Sequence, residues 1–168
     1  VSIPDGKLAS ELVLFCEGGT YTDEFDGLTQ TAGTMAAYAE GGTLADGVSL
    51  NATPGSSIVF HLITEYNMAP AEAEAAFDLA FGYVPDVTVM PTDATNPASG
   101  SSLGAIEAGL RATAFNQMTN QQHLGQDQQF ALLAALAEDL SDGILDGTNS
   151  SAPITIASGP ILQIVNLF

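Results

Sequence analysis

The stretch Leu50-Asn51-Ala52-Thr53-Pro54-Gly55-Ser56-Ser57-Ile58-Val59-Phe60-His61-Leu62 decides the architecture. Thr is a favoured N-cap and Pro is pre-organised for the first helical position, so a helix begins at Thr53-Pro54. Ile58, Val59, Leu62, Ile63 and Tyr66 then recur at helical spacing. Upstream of this junction the pattern is that of strands, and downstream it is that of helices.

Working back from the junction, Gly47 to Leu50 and Thr34 to Ala39 read as short extended segments, parted by the turn signals Asp46-Gly47 and Gly41-Gly42. Thr20 to Gly27 holds turn residues, and Leu8 to Cys16 is a strand ending at Gly18-Gly19. Working forward, a second helix starts at Pro70. Glu72 and Glu74 sit where the macrodipole favours them, Ala73, Ala76, Phe77 and Ala80 are the apolar positions, and Gly82 is the stop. Pro85, Pro91 and Pro97 make residues 84–100 a loop or crossing segment. A third helix begins near Ser101 or Ser102, with Leu103, Ile106, Leu110, Ala114 and Met118 on one face and an i,i+4 pair of Glu107 with Arg111. The fourth runs from about Gln126 to Ser141. Its apolar face of Phe130, Leu132, Leu133, Leu136, Ala137 and Leu140 is wide enough to place it centrally. After Gly147 the pattern returns to β, over Ile154 to Ile156 and Ile161 to Leu167.

The expected fold class is therefore α+β in a single domain, 1–168. A small antiparallel β lobe from residues 1–52 and 150–168 carries a four-helix insertion over 53–149. Apolar residues make up 46% of the 168, enough for one sizeable core.

Charge excludes several classes of function. Twenty carboxylates face two basic residues, Lys7 and Arg111, for a net charge of -18. Nucleic-acid recognition needs clustered Lys and Arg, and anionic membrane surfaces repel such a chain, so neither is an expected partner. No apolar run approaches the roughly 20 residues of a membrane span. The chain begins at Val1 without a basic, then apolar, leader, and so reads as a processed mature chain or a piece of a longer one. Cys16 is the lone cysteine. It reads as a small hydrophobe in an apolar run, with an intermolecular disulfide as the sharper alternative. An acidic chain rich in Thr, Ser, Ala and Gly reads as secreted or surface-exposed.

Catalytic signals are weak. Gly100-Ser101-Ser102-Leu103-Gly104 matches G-x-S-x-G, but a nucleophile elbow needs a preceding strand, and Thr92 to Ser99 is a loop. Helix N-capping accounts for Ser102. His61 and His123 have no partners at metal-ligand spacing, and His61 is placed to bond Glu65 one turn on. Asn51-Ala52-Thr53 and Asn149-Ser150-Ser151 are formal glycosylation sequons.

The carboxylates say more. Glu138, Asp139 and Asp142 cluster at the end of the fourth helix, where the macrodipole disfavours anions, and Asp146 follows in a Gly-flanked turn. Two readings fit: the carboxylates cap backbone N–H groups, or a structural Ca²⁺ lies among them, although the spacing is not an EF-hand loop. Asp23, Glu24 and Asp26 form a second acidic turn, read as solvated or cation-binding. No other cofactor is indicated.

Three pieces resemble bacterial secreted surface and adhesin-like proteins, in which an immunoglobulin-like β module precedes an Ala-rich helical region. They are Gly18-Gly19-Thr20-Tyr21-Thr22-Asp23-Glu24, Leu50-Asn51-Ala52-Thr53-Pro54, and Leu136-Ala137-Glu138-Asp139-Leu140-Ser141-Asp142-Gly143-Ile144-Leu145-Asp146-Gly147. The resemblance implies an extracellular location, an immunoglobulin-like sandwich fragment and a structural or adhesive role, with no catalytic residues. An upstream sandwich is not evident in this chain, so the β lobe is either minimal or completed by another chain.

The run Ile161-Leu162-Gln163-Ile164-Val165-Asn166-Leu167-Phe168 is apolar on both faces and must be covered, within its own lobe or by a neighbour. The expected function is a non-enzymatic structural protein whose partners are copies of itself. It would assemble into a fibre or pilus-like filament by β-strand augmentation, through Leu12 and Leu14 at one end and Ile161, Ile164, Val165, Leu167 and Phe168 at the other. The alternative is an adhesin module binding carbohydrate or protein through 84–100, and a serine hydrolase ranks last.

Overall fold

The computed structural model describes residues 10–22, 27–45, 47–121, 126–156, 159–161 and 165, with backbone alone at 120, 121 and 126–129. The junction behaves as its chemistry dictates. Helix α1 spans Pro54–Thr64, and the Thr53 side chain accepts from the Ser56 N–H at 3.1 Å while Ser56 Oγ accepts from the Thr53 N–H at 2.8 Å. Helix α2 is Pro70–Phe81, closed by Gly82 at φ 75°, a left-handed position that suits glycine. Helix α3 is Leu103–Gln121, and α4 is Gln126–Leu140. Helix α4 packs against α1 and α3. The core joins Ile58 and Leu62 of α1, Phe77 of α2, Phe115 and Met118 of α3, and Leu132, Leu136 and Leu140 of α4.

The fold is mixed α+β, and its strands form small antiparallel pairs. Strand β1 (Leu12–Cys16) pairs with β4 (Met35–Ala39), and β2 (Thr20–Thr22) pairs with β3 (Thr29–Thr31). Near the other end, β5 (Thr148–Asn149) pairs with β6 (Ala152–Pro153), and β7 (Thr155–Ile156) with β8 (Gly159–Pro160). Among the described residues no strand of one end pairs with a strand of the other; their strands form separate two-stranded ribbons. Among the described residues those ribbons do not join into an immunoglobulin-like sandwich.

The C-terminal expectation changes too. Val165 N–H donates to the Ile161 carbonyl at 3.0 Å, an i to i+4 bond, so these two residues do not share an extended strand. Both are buried in the core with the helices, as is Ile154. Short apolar runs do not distinguish strand from helix, and here the helical core claims Ile161 and Val165.

Helix α3 is rotated from its expected face. Met118 of the expected face is buried, but Leu103 and Leu110 are 71% and 55% exposed and Ala114 is exposed, whereas Gly109, Phe115 and Thr119 are buried. Gly109 sets the rotation: a Cβ there would lie 1.9 Å from the Thr92 carbonyl oxygen, so only glycine lets the loop approach this side. The Thr92 N–H completes the contact by donating to the Ala105 carbonyl at 3.1 Å.

Candidate functional site

Four features compete for a functional role: the acidic turn after α4, the β1–β4 edge, the loop 84–100 and the Ser102 region. The acidic turn is built by Asp139, which is fully buried at the end of α4. Its Oδ1 accepts from the N–H groups of Asp146 (3.2 Å), Gly147 (3.0 Å) and Thr148 (3.1 Å), and Oδ2 accepts from Gly147 at 3.0 Å. Burial pushes the Asp139 carboxyl above its ordinary value. The Gly147 and Asp146 N–H bonds pull it down, the charge of Asp146 adds to the rise, and the Thr148 bond again opposes it. Asp142 accepts from Ile144 N–H at 3.2 Å and Ser150 N–H at 3.1 Å, and Asp146 accepts from the N–H and hydroxyl of Thr148 at 2.9 and 2.7 Å.

These carboxylates therefore satisfy backbone donors, as the capping alternative requires. Glu138 is exposed on α4 and offers its carbonyl to Ser141. Among the described residues no group of three or more His, Cys, Asp or Glu side chains is arranged to hold a metal ion. The Ser150-Ser151 link between β5 and β6 has positive φ at both residues, 48° and 76°, the conformation of a two-residue hairpin turn. The Ser150 N–H held by Asp142 anchors that turn. Asp23, Glu24 and Asp26 lie outside the described residues.

The β1–β4 ribbon has two unlike edges. On the β4 edge, Ser56 Oγ donates to the Ala36 carbonyl at 2.8 Å, and Ala36 N–H donates to Ser57 Oγ at 3.0 Å. Both backbone groups of Ala36 thus point away from β1, which makes Phe15–Ala36 a non-hydrogen-bonded pair. By the same alternation the N–H and C=O of Val13 and Phe15 point away from β4. Val13 and Phe15 are also 47% and 58% exposed, while Leu12 and Leu14 are half-buried. The phenyl ring of Phe15 meets Phe60 edge-on at 5.0 Å, which seats the strand beside α1.

The expected self-association residues are thereby sorted. Leu12 and Leu14 lie on a strand that is an edge among the described residues, but their backbone groups face β4, and the outward groups belong to Val13 and Phe15. Ile161 and Val165 are in the chain's own core, which removes them as donors to a neighbour. Ile164, Leu167 and Phe168 lie outside the described residues. Strand alternation was the signal available for Val13 and Phe15; which parity faced outward depended on the serines of α1.

Loop 84–100 is tied down rather than free. Asn51 N–H donates to the Val87 carbonyl at 2.8 Å, and Asp86 and Asp93 bond Thr88 and Thr95 within the loop. At its start Tyr83 lies under the Arg111 guanidinium, 4.2 Å from the ring centroid, and Glu107 reaches the same Arg at 3.9 Å. Burial raises the Tyr83 hydroxyl to about 12 although Arg111 pulls it down.

Ser102 is an exposed residue whose Oγ accepts the Ala105 N–H at 3.2 Å, the bond of an N-cap. His61 Nδ1 is 2.8 Å from Glu65 Oε1, as its spacing predicts, and His123 lies outside the described residues. Cys16 is a free, half-buried thiol on β1. Among the described residues no helix is long and apolar enough to cross a membrane. No protein-family model, curated protein or solved structure matches the chain.

Proposed function

We propose that this is a non-enzymatic, extracellular structural module that associates with copies of itself by strand pairing at the outer edge of β1. The outward backbone groups of Val13 and Phe15, beside two exposed apolar side chains, carry the reading. Edge strands normally carry Lys, Pro or a bulge that blocks pairing, and β1, Leu-Val-Leu-Phe-Cys, has no Lys or Pro. The opposite edge is closed by Ser56 and Ser57, so pairing is directed to one side.

Pairing of β1 with β1 about a two-fold axis closes at a dimer. Pairing of β1 with a different strand of the next copy is heterologous and propagates into a fibre. Either contact brings together chains of net charge -18, so association strengthens as salt screens them. The resemblance to secreted surface proteins agrees with an exterior location and with a structural or adhesive role.

Sedimentation across a salt series, with negative-stain imaging of the high-salt sample, tests the reading. The expected result is a dimer or fibre that forms as salt rises and is lost in Val13→Lys, whose charge falls on the open edge. A monomer at every salt concentration, or a Val13→Lys variant that assembles as well as the parent, would overturn it.

A further inference from the structure

We propose that a cleft between the β2–β3 ribbon and the helices binds a neutral aromatic molecule of one or two rings bearing a single O–H or N–H group. The cleft has a volume of about 270 Å³ and runs from Tyr21 on β2 to Leu133 on α4. That lies between the ~150 Å³ that admits benzene and the ~300 Å³ at which pockets for drug-sized ligands begin.

Its walls are Met35, Pro54, Phe115, Phe130 and Leu133, and no Asp, Glu, Lys, Arg or His is among its described lining residues. In a chain with 20 carboxylates, a concave surface whose described lining lacks one suits an uncharged occupant, and the chain's net charge repels anions. Two polar groups stand on the α3 wall. Thr119 is buried and its hydroxyl donates to the Asn116 carbonyl at 2.8 Å, which leaves its oxygen free to accept. Asn116 lines the same wall, and its side-chain amide carries both a donor and an acceptor. A few placed polar groups in an apolar wall are what orient a small ligand.

The opening is held by the packing around it. A Cβ on Gly33 would lie 2.0 Å from the Phe130 ring, so Phe130 is seated in the notch that Gly33 leaves. On the opposite side, Thr53 and Pro54 belong to the capped first turn of α1. Both walls are set before a ligand arrives, which reduces the ordering cost of binding.

Indole is a suitable probe: neutral, two-ringed and with one N–H. The chain has no Trp, so indole fluorescence excited beyond the tyrosine band reports the ligand alone. Titration of the intact protein, read by that fluorescence and by the methionine methyl resonances, is expected to give saturable binding that moves the Met35 methyl. Met90, 72% exposed and outside the cleft, should stay fixed. Asn116→Leu should bind about tenfold more weakly, the loss of one hydrogen bond. Ala112→Phe, which fills the cleft, should abolish saturation; if that variant does not fold, the methyl readout on the parent decides alone. An unmoved Met35, parallel shifts of Met35 and Met90, or unchanged binding by folded Ala112→Phe would each overturn the proposal.

Discussion

The buried carboxylate of Asp139 receives the Gly147 N–H on both oxygens at 3.0 Å, closing a loop over residues 139–147 at the end of α4. Two further N–H groups, of Asp146 and Thr148, reach the same side chain. An anion at a helix C-terminus opposes the macrodipole. The buried Gly147 N–H, with the part-buried N–H groups of Asp146 and Thr148, outweighs that opposition, because a buried donor without a partner costs about 1–3 kcal/mol. Asp139→Ala leaves the Gly147 and Asp146 N–H groups without their acceptor, while the Thr148 N–H keeps Asp146, and should destabilise the protein by about 2–3 kcal/mol. Asp139→Asn keeps one oxygen at the three-donor position and sets an amide N–H against Gly147, for a smaller loss of about 1–2 kcal/mol. Urea unfolding of the three proteins should rank them parent, Asn, Ala; equal stability of Ala and parent would refute the role.

Acid should stabilise the molecule before it unfolds it. Burial holds the Asp139 carboxyl above its ordinary 3.8, so the folded chain binds this proton more readily than the unfolded chain. Stability from this group therefore rises as pH falls through the raised value towards 3.8, and is lost as pH rises again. Relief of self-repulsion at net charge -18 acts in the same direction. Asp93 has the opposite sign. The hydroxyl of Thr95 and the N–H groups of Asn96 and Thr95 lower its carboxyl, so its contribution is present above 3.8 and lost as pH falls through the lowered value. Melting temperature should thus climb on mild acidification and climb less steeply in Asp139→Asn. Parallel slopes for parent and variant would remove Asp139 as the cause.

Two glycines of α3 should respond with opposite signs to the same substitution. A Cβ on Gly104 meets nothing within 4 Å, so Gly104→Ala should stabilise by up to about 1 kcal/mol, the helical preference of Ala over Gly. A Cβ on Gly109 would lie 1.9 Å from the Thr92 carbonyl oxygen, which belongs to backbone and cannot swing aside. Overpacking of this kind costs about 1–3 kcal/mol, so Gly109→Ala should be destabilising despite the same gain in propensity. Thermal melts of the pair, measured together, check the sign of each.

Local chemistry was legible in the sequence, and the tertiary choice among equivalent faces was not. Thr53-Pro54 and Gly82 marked helix ends because capping and left-handed φ involve only neighbouring residues. Leu103 and Leu110 have the spacing of a buried stripe, yet the side of α3 that faces inward is chosen by Gly109 against Thr92. The acidic turn was visible as a conflict with the helix dipole, but its resolution by the Gly147 N–H appears only when the chain closes on itself. The cleft left no linear signal, since its walls come from residues between Tyr21 and Leu133.

The serine pair that closes the β4 edge supplies the last prediction. Ser56 Oγ and Ser57 Oγ each have one hydrogen. The short contacts assign that of Ser56 to the Ala36 carbonyl and that of Ser57 to the Thr53 carbonyl, both at 2.8 Å. Ser57 Oγ is then the acceptor for Ala36 N–H at 3.0 Å, and both residues are buried. Ser57→Ala removes that acceptor where water does not replace it, at a cost of about 1–3 kcal/mol, offset by a few tenths from the better helix propensity of Ala. Ser102→Ala is the comparison, because it also deletes a serine hydroxyl that serves a backbone N–H, but an exposed one at a helix start. Its cost should be about 1 kcal/mol, as for other N-caps. Denaturant midpoints should therefore place Ser57→Ala below Ser102→Ala. Amide exchange should speed up at Ala36 in the first variant and at Ala105 in the second. Slow exchange retained at Ala36 in Ser57→Ala would mean that the β4 edge is protected by something other than this hydroxyl.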